Sequence, residues 1–223
     1  MAERPIYIPQ DKGNFLVKTA MVEFKFHPGF AKVQKQKSIA ELHQAAQTKF
    51  DLNKILEISS KSEEQLGVAL SAFNLMINDE KVGQTYSVEC AFQSSKVFKN
   101  GGPYVDLLNG TSGAAKKDER LKNSGALVAF QFKGTNWPLE PKTAFYDWLY
   151  INALNQNKQF HEQLLNYQAF TDIEFNPKKS INCQAYSVAL FVALAKRNLL
   201  DQIREPEKFR KIYSDFKTND DLL

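Results

Sequence analysis

The run Val188–Ala195 (VALFVALA) is the longest uninterrupted apolar stretch in the chain, and it constrains the fold more than any other feature. At eight residues it falls far short of the roughly 20 that a membrane-spanning helix needs. No membrane span is therefore expected. The run sits inside a longer helical pattern, from Ile181 to about Asn198, that places Ala185, Val188, Ala189, Val192 and Ala195 on one face, with Ser180 positioned to cap it. Such a segment has to be wrapped by other elements, so the rest of the chain must supply its cover.

The cover reads as short pieces. Ile6–Ile8 between prolines, the alternating Val22–Phe26, Ile55–Ile58 and the aromatic-rich Ala126–Phe132 are strand candidates. Ser38 with Glu41 forms a capping-box pattern ahead of a helix to about Lys49. Thr85–Phe98 reads as a helix opening at Ser87 and stopped by Gly101-Gly102-Pro103, and Pro141 stands where a helix carrying Phe145, Trp148, Leu149, Ala153 and Leu154 begins. Smaller helical pieces are expected around Val105–Leu108, Ala114–Lys122 and Gln159–Asn166, followed by an extended run Ala169–Phe175 and a last amphipathic helix from Pro206. With 223 residues, no internal repeat and no Gly/Ser-rich linker, the expectation is one helix-dominated α+β domain with a small number of short strands.

Several chemistries are disfavoured at once. GxGxxG, P-loop, GxSxG and HExxH patterns are all missing. The two cysteines, Cys90 and Cys183, and the three scattered histidines lack metal-ligand spacing, so neither a metal nor a cofactor is expected. The N-terminal MAERPIYIPQDKG has no secretory pattern, which places the expected setting in the cytoplasm. A net charge of +4 fits an anionic ligand or nucleic acid without requiring either, and the basic run Lys116, Lys117, Arg120, Lys122 also reads as a solvated face.

Two constellations remain. On a helix, Glu89 and Lys96 return to nearly the same azimuth about 10 Å apart, with Gln93 between them and Phe92 at the border. A carboxylate, an amide and an ammonium in a row suit a ligand containing a sugar and a phosphate, and they equally suit an ordinary solvent face. The second is Thr171–Asn176, where an extended chain would point Asp172 and Glu174 the same way, with Asn176 just before a helix start that attracts phosphate. Its other reading is an Asx-capped turn. Both cysteines read as buried small hydrophobes, and Trp137, in the loop-like Gly134–Pro138, reads as either core or a stacking platform.

Taken together, Ser59-Ser60, then Leu70–Asn74, then Tyr86–Lys96 (YSVECAFQSSK), the basic stretch Ala115–Arg120, Asn136-Trp137, Ala153-Leu154 and Gln156-Asn157 resemble the NADAR superfamily in order and spacing, most of all the NADAR antitoxins paired with DarT-type toxins, which ADP-ribosylate guanine in DNA. The resemblance covers roughly residues 55–198. It implies an ADP-ribosyl glycohydrolase acting on ADP-ribosylated DNA, with a cognate DarT-type toxin as partner. By similarity, Glu89, Lys96, Asp172 and Glu174 are catalytic candidates, and Ser71, Phe73, Asn74, Gln93, Trp137 and Asn176 substrate-binding ones. The chain departs from the family pattern at Ser71-Ala72-Phe73-Asn74, which stands for Ser-Asn-Phe, at Cys90, which replaces a histidine, and at Asp172–Pro177, which replaces Asp-x-x-Trp-Gly. Residues 1–54 are expected to be an N-terminal extension packed on a catalytic domain at 55–216, with 217–223 a flexible tail. Alternatives from other classes are a non-catalytic binder of ADP-ribose or nucleic acid, and an N-glycosidase acting on a small riboside.

Overall fold

The apolar run becomes the central helix of the protein. In a computed structural model, which describes residues 1–216, it forms α8 (Gln184–Lys196), and every residue from Ser187 to Leu194 is buried. A helix buried all round needs partners on every side. One side is a sheet built from β1 (Ala2–Pro9), β2 (Val17–Phe24), β3 (Ile55–Glu57) and β9 (Ala169–Thr171), in the order β2-β1-β9-β3. Another is α6 (Ala144–Gln156).

Strand alternation divides the core in two. Ile6, Ile55 and Ala169 point toward α1 (Lys32–Phe50) and meet Ile39, Leu42 and Ala46. Their neighbours Tyr7, Leu56 and Phe170 point the other way, into the larger core around α8. Residues 1–54, expected as an extension, supply β1, β2 and α1, and β1 joins β9 through Tyr7↔Phe170. The expected tail at 217–223 lies outside the described residues.

The remaining elements form a second layer. A hairpin of β4 (Met76–Asp79) and β5 (Gln84–Ser87) follows α2 (Gln65–Ala69). Then α3 (Val88–Ser94) leads straight into β6 (Lys96–Phe98), which pairs with β7 (Leu127–Phe132) and β8 (Thr135–Trp137). Short helices α4 (Ser112–Lys117) and α5 (Arg120–Asn123) lie between β6 and β7; α7 (His161–Leu164) precedes β9, and α9 (Pro206–Asp215) packs on α6. The architecture is a single α+β domain with small sheets. Among the described residues, no helix is long and apolar enough to cross a membrane.

Four local expectations need correction. The helix over Thr85–Phe98 shrinks to Val88–Ser94, because Ser87 Oγ accepts Cys90 N–H at 3.1 Å at one end while the Ser94 and Ser95 hydroxyls bond back to Ala91 O at the other. Lys96 therefore starts a strand instead of ending a helix. Ser38 lies inside α1, its hydroxyl accepting from His27 N–H at 2.9 Å, so it ties down the preceding loop and caps nothing. The central helix begins at Gln184, not Ile181; Ser180 closes a turn onto Asn176 O instead. The extended run ends at Thr171, and Asp172–Phe175 turns.

Candidate functional site

Strands β3 and β9 run parallel, so their carboxyl ends open at one place, where ligands collect in sheets of this kind. Beyond those ends lies a cavity of about 520 Å³, within the range of small-molecule sites. Its wall takes Ser59–Lys61 from after β3, Asp172, Glu174 and Phe175 from after β9, and Ser180–Asn182 with Gln184 from the start of α8. The opposite wall is Ser71–Phe73, Glu89, Phe92 and Gln93, with Tyr146 and Lys116 completing it.

Gln184 holds the two walls in register. Its Nε2 donates to Ile58 O at 2.6 Å and its Oε1 accepts Ala72 N–H at 2.8 Å, joining the β3 exit to the Ser71–Ala72 turn. Ala72 O in turn accepts Glu89 N–H at 2.9 Å, which sets the first turn of α3 against the cavity.

The expected acid–amide–amine row exists as a hydrogen-bonded chain. Gln93 Nε2 donates to Glu89 Oε1 at 2.9 Å, and Lys96 Nζ donates to Gln93 Oε1 at 2.7 Å. Although Lys96 stands on β6 and not on the helix, the short strand brings its ammonium back over the Phe92 ring, 4.8 Å from the centroid. Glu89 is only 5% exposed, and Lys116 Nζ approaches its Oε1 at 3.8 Å. Burial pushes the Lys96 ammonium below its ordinary pKa; the Glu89 carboxylate opposes that and Lys116 adds to it.

Asp172 forms the floor on the other side. Its Oδ1 accepts Glu174 N–H at 3.0 Å and Phe175 N–H at 3.2 Å, an Asx turn that leaves the second oxygen outside the turn. At 8% exposed, its carboxyl is raised from 3.8 to about 8, first by burial and then by the nearby Glu57 carboxylate.

Of the residues expected from the sequence, Ser71, Phe73, Glu89, Gln93, Asp172 and Glu174 line this one cavity. Lys96 reaches it through Gln93. Glu174 does not point with Asp172: its carboxylate pairs with Lys35 at 3.2 Å, because the chain turns after Thr171. Asn74 and Asn176 are turned into local structure, Asn74 Nδ2 donating to Val68 O and Asn176 Oδ1 accepting Lys178 N–H. Trp137 is placed elsewhere altogether. It is 1% exposed, packed 5.6 Å from Phe145 and 5.0 Å from Trp148, because β8 turns its indole into the larger core.

Sequence reasoning passed over Gln184, Tyr146, Lys116 and Glu57 as site residues. Gln184 and Tyr146 lie in helices whose apolar pattern gives no sign that one polar group serves a cavity. Lys116 did have a signal, the basic run, but only its docking beside Phe73 (5.1 Å to the ring centroid) separates it from the solvated lysines around it. Among the described residues, no group of three or more His, Cys, Asp or Glu side chains gathers into a metal-binding cluster.

Comparison with curated proteins finds no match. A family model described as the DarT1-associated NADAR antitoxin matches residues 2–222. That span takes in β1, β2 and α1 together with every wall of the cavity, and the chain belongs to the DarT1-associated NADAR antitoxin family.

Proposed function

We propose that this protein is an ADP-ribosyl glycohydrolase that removes ADP-ribose from guanine bases in DNA and so acts as antitoxin to a DarT-type ADP-ribosyltransferase. The observation that carries the reading is the convergence of the Glu89–Gln93–Lys96 chain and Asp172 on one cavity at the start of a buried helix. The family described as DarT1-associated supports the antitoxin role.

The chemistry follows from the bond. Cleavage of the ribosyl C1″–N bond leaves positive charge on the sugar, water supplies the oxygen that ends on C1″, and the departing base takes up a proton. Glu89, beside Lys116 and hydrogen-bonded by Gln93, is placed to stabilise that charge or to direct the water. The amides opening α8 favour a diphosphate nearby, and Phe73, 38% exposed with Lys116 over its ring, offers a face for a base.

A second route has its own support. The lowered pKa of Lys96 favours a free amine; once the sugar ring opens to an imine between C1″ and the guanine nitrogen, that amine can add to C1″, expel the guanine amine with its proton, and leave a Lys96 imine that water hydrolyses to free ADP-ribose. Borohydride reduction during turnover distinguishes the two: a protein–ADP-ribose adduct lost in Lys96→Ala marks the imine, and no adduct marks direct water attack.

The test of the function is incubation of an ADP-ribosylated oligonucleotide with wild type and Glu89→Gln. Release of ADP-ribose by the wild type, slowed about 100- to 1,000-fold in the variant, is the expected result. Equal release by both removes Glu89 from the mechanism; tight ADP-ribose binding without any turnover favours a non-catalytic binder.

A further inference from the structure

Below the cavity floor lies a second carboxyl group that the proposed reaction does not use. Glu57, at the end of β3, is fully enclosed, and all three of its hydrogen-bond partners belong to the segments that form the floor. Its Oε1 accepts the Ser59 hydroxyl at 2.7 Å and Ile173 N–H at 2.8 Å, and its Oε2 accepts the Thr171 hydroxyl at 2.6 Å. Thr171 Oγ1 is in turn 2.8 Å from His43 Nε2 on α1.

We propose that Glu57 is a positioning residue that keeps Asp172 in its protonated form, so that Asp172 offers a hydrogen-bond donor to an anionic ligand in the cavity.

The partners assign the charge. With Thr171 donating to Glu57, its oxygen is free to accept from His43 Nε2–H, so the whole relay donates in one direction, toward Glu57. Burial lowers His43 to about 4, so its imidazole meets Thr171 as a neutral group and puts no positive charge beside Glu57. Burial raises the Glu57 carboxyl, and the three donors converging on it oppose that rise and favour its anion.

At Asp172 the two backbone N–H groups on Oδ1 and the Gln184 amide also favour the charged form, but burial and the Glu57 charge outweigh them. The titratable groups facing it are Tyr7 from β1, Tyr146 and Tyr150 from α6 and Cys183 at the start of α8, each held neutral by burial, together with Glu57 itself. Lys35 is paired with Glu174, and Lys61 and Lys116 line the same cavity. Glu57, both of whose oxygens accept hydrogen bonds, holds the charge, and its field together with burial leaves the proton on Asp172. A charged Asp172 would repel a diphosphate; the neutral acid attracts one.

The ligand part of this inference rests on the ADP-ribose reading, whereas the titration part does not, and one experiment separates them. The full chain is labelled with carboxyl-13C aspartate, and the Asp172 resonance, assigned by its loss in Asp172→Asn, is followed from acid to alkaline pH. Calorimetry with ADP-ribose follows affinity over the same range. The wild-type resonance is expected to titrate at about 8, and in Glu57→Gln the midpoint moves about one pH unit or more lower. The pH at which ADP-ribose affinity begins to fall moves with it, and Glu57→Asp, which keeps the charge, restores the higher midpoint. An Asp172 that titrates in the ordinary carboxylate range in the wild type overturns the proposal even if Glu57→Gln does not fold. Equal midpoints in wild type and Glu57→Gln overturn it as well. A wild type that shows the expected titration but binds no ADP-ribose refutes the ligand assignment and leaves the charge relation between Glu57 and Asp172 standing.

Discussion

Replacing Asp172 by asparagine should make the protein more stable at alkaline pH, and the size of the effect follows from the floor of the cavity. The folded protein holds the Asp172 proton up to about 8, while the unfolded chain releases it near 3.8. Between those values the folded state binds the extra proton, so stability falls as pH rises, by about 1.4 kcal/mol per pH unit. The loss is absent below the unfolded value and complete above the folded one. Over about three pH units inside that window, this single group removes about 4 kcal/mol. Asparagine keeps the acceptor that Glu174 N–H and Phe175 N–H require and carries no proton to lose. The difference in melting temperature between variant and wild type should therefore grow by about 8–16 °C over that span, measured by differential scanning calorimetry in a series of buffers. Other ionisable groups act in both proteins and cancel in the difference. Parallel curves for the two proteins would show that Asp172 ionises like an ordinary surface aspartate and would refute the electrostatic picture of the floor.

Two further substitutions probe the scaffold. Trp137→Ala should cost about 3–5 kcal/mol of stability, seen by urea titration, with unchanged ADP-ribose affinity under conditions where the protein is folded; a selective loss of affinity would restore the stacking role expected from the sequence. Gly67→Ala should cost about 1–3 kcal/mol, because a methyl there would lie 2.0 Å from Glu57 O and 2.4 Å from Ser62 Oγ, and a thermal melt matching the wild type would contradict that packing.

What could be read from the sequence was local. Ser87 announced the start of α3 through its cap, and the 89–93–96 spacing announced a row of polar groups facing one way, a row that survived even though Lys96 sits on a strand. The apolar run from Val188 announced a buried helix. The errors arose where a long-range partner decided the outcome. Ser38 matched a capping box, but His27 engages its hydroxyl inside α1. Asp172 and Glu174 alternate as strand residues would, but the Asx turn onto Glu174 and Phe175 N–H ended the strand. Trp137 sat among turn-forming residues, yet pairing of β8 with β7 carried its ring into the core. The pairing of β1 with β9 joins positions 163 residues apart at Tyr7↔Phe170, and no local pattern encodes it. Glu57 read as one polar residue in an apolar strand; its importance depends on Thr171 and Ile173, which lie far along the chain.

The most direct test of the central claim, that the cavity between Glu89 and Asp172 receives the ADP-ribosyl group, is a residue-resolved NMR titration of the wild-type protein with ADP-ribose. The protein has a second cavity of about 390 Å³, lined by Gln47, Asn53, Lys54, Glu64 and Tyr167 among others, which serves as an internal control. Shifts confined to the amides of Ser71–Phe73, Glu89–Gln93, Asp172–Phe175 and Asn182–Gln184 are the predicted result. Shifts centred on Asn53 and Tyr167, or none at concentrations where a product should bind, would contradict the account.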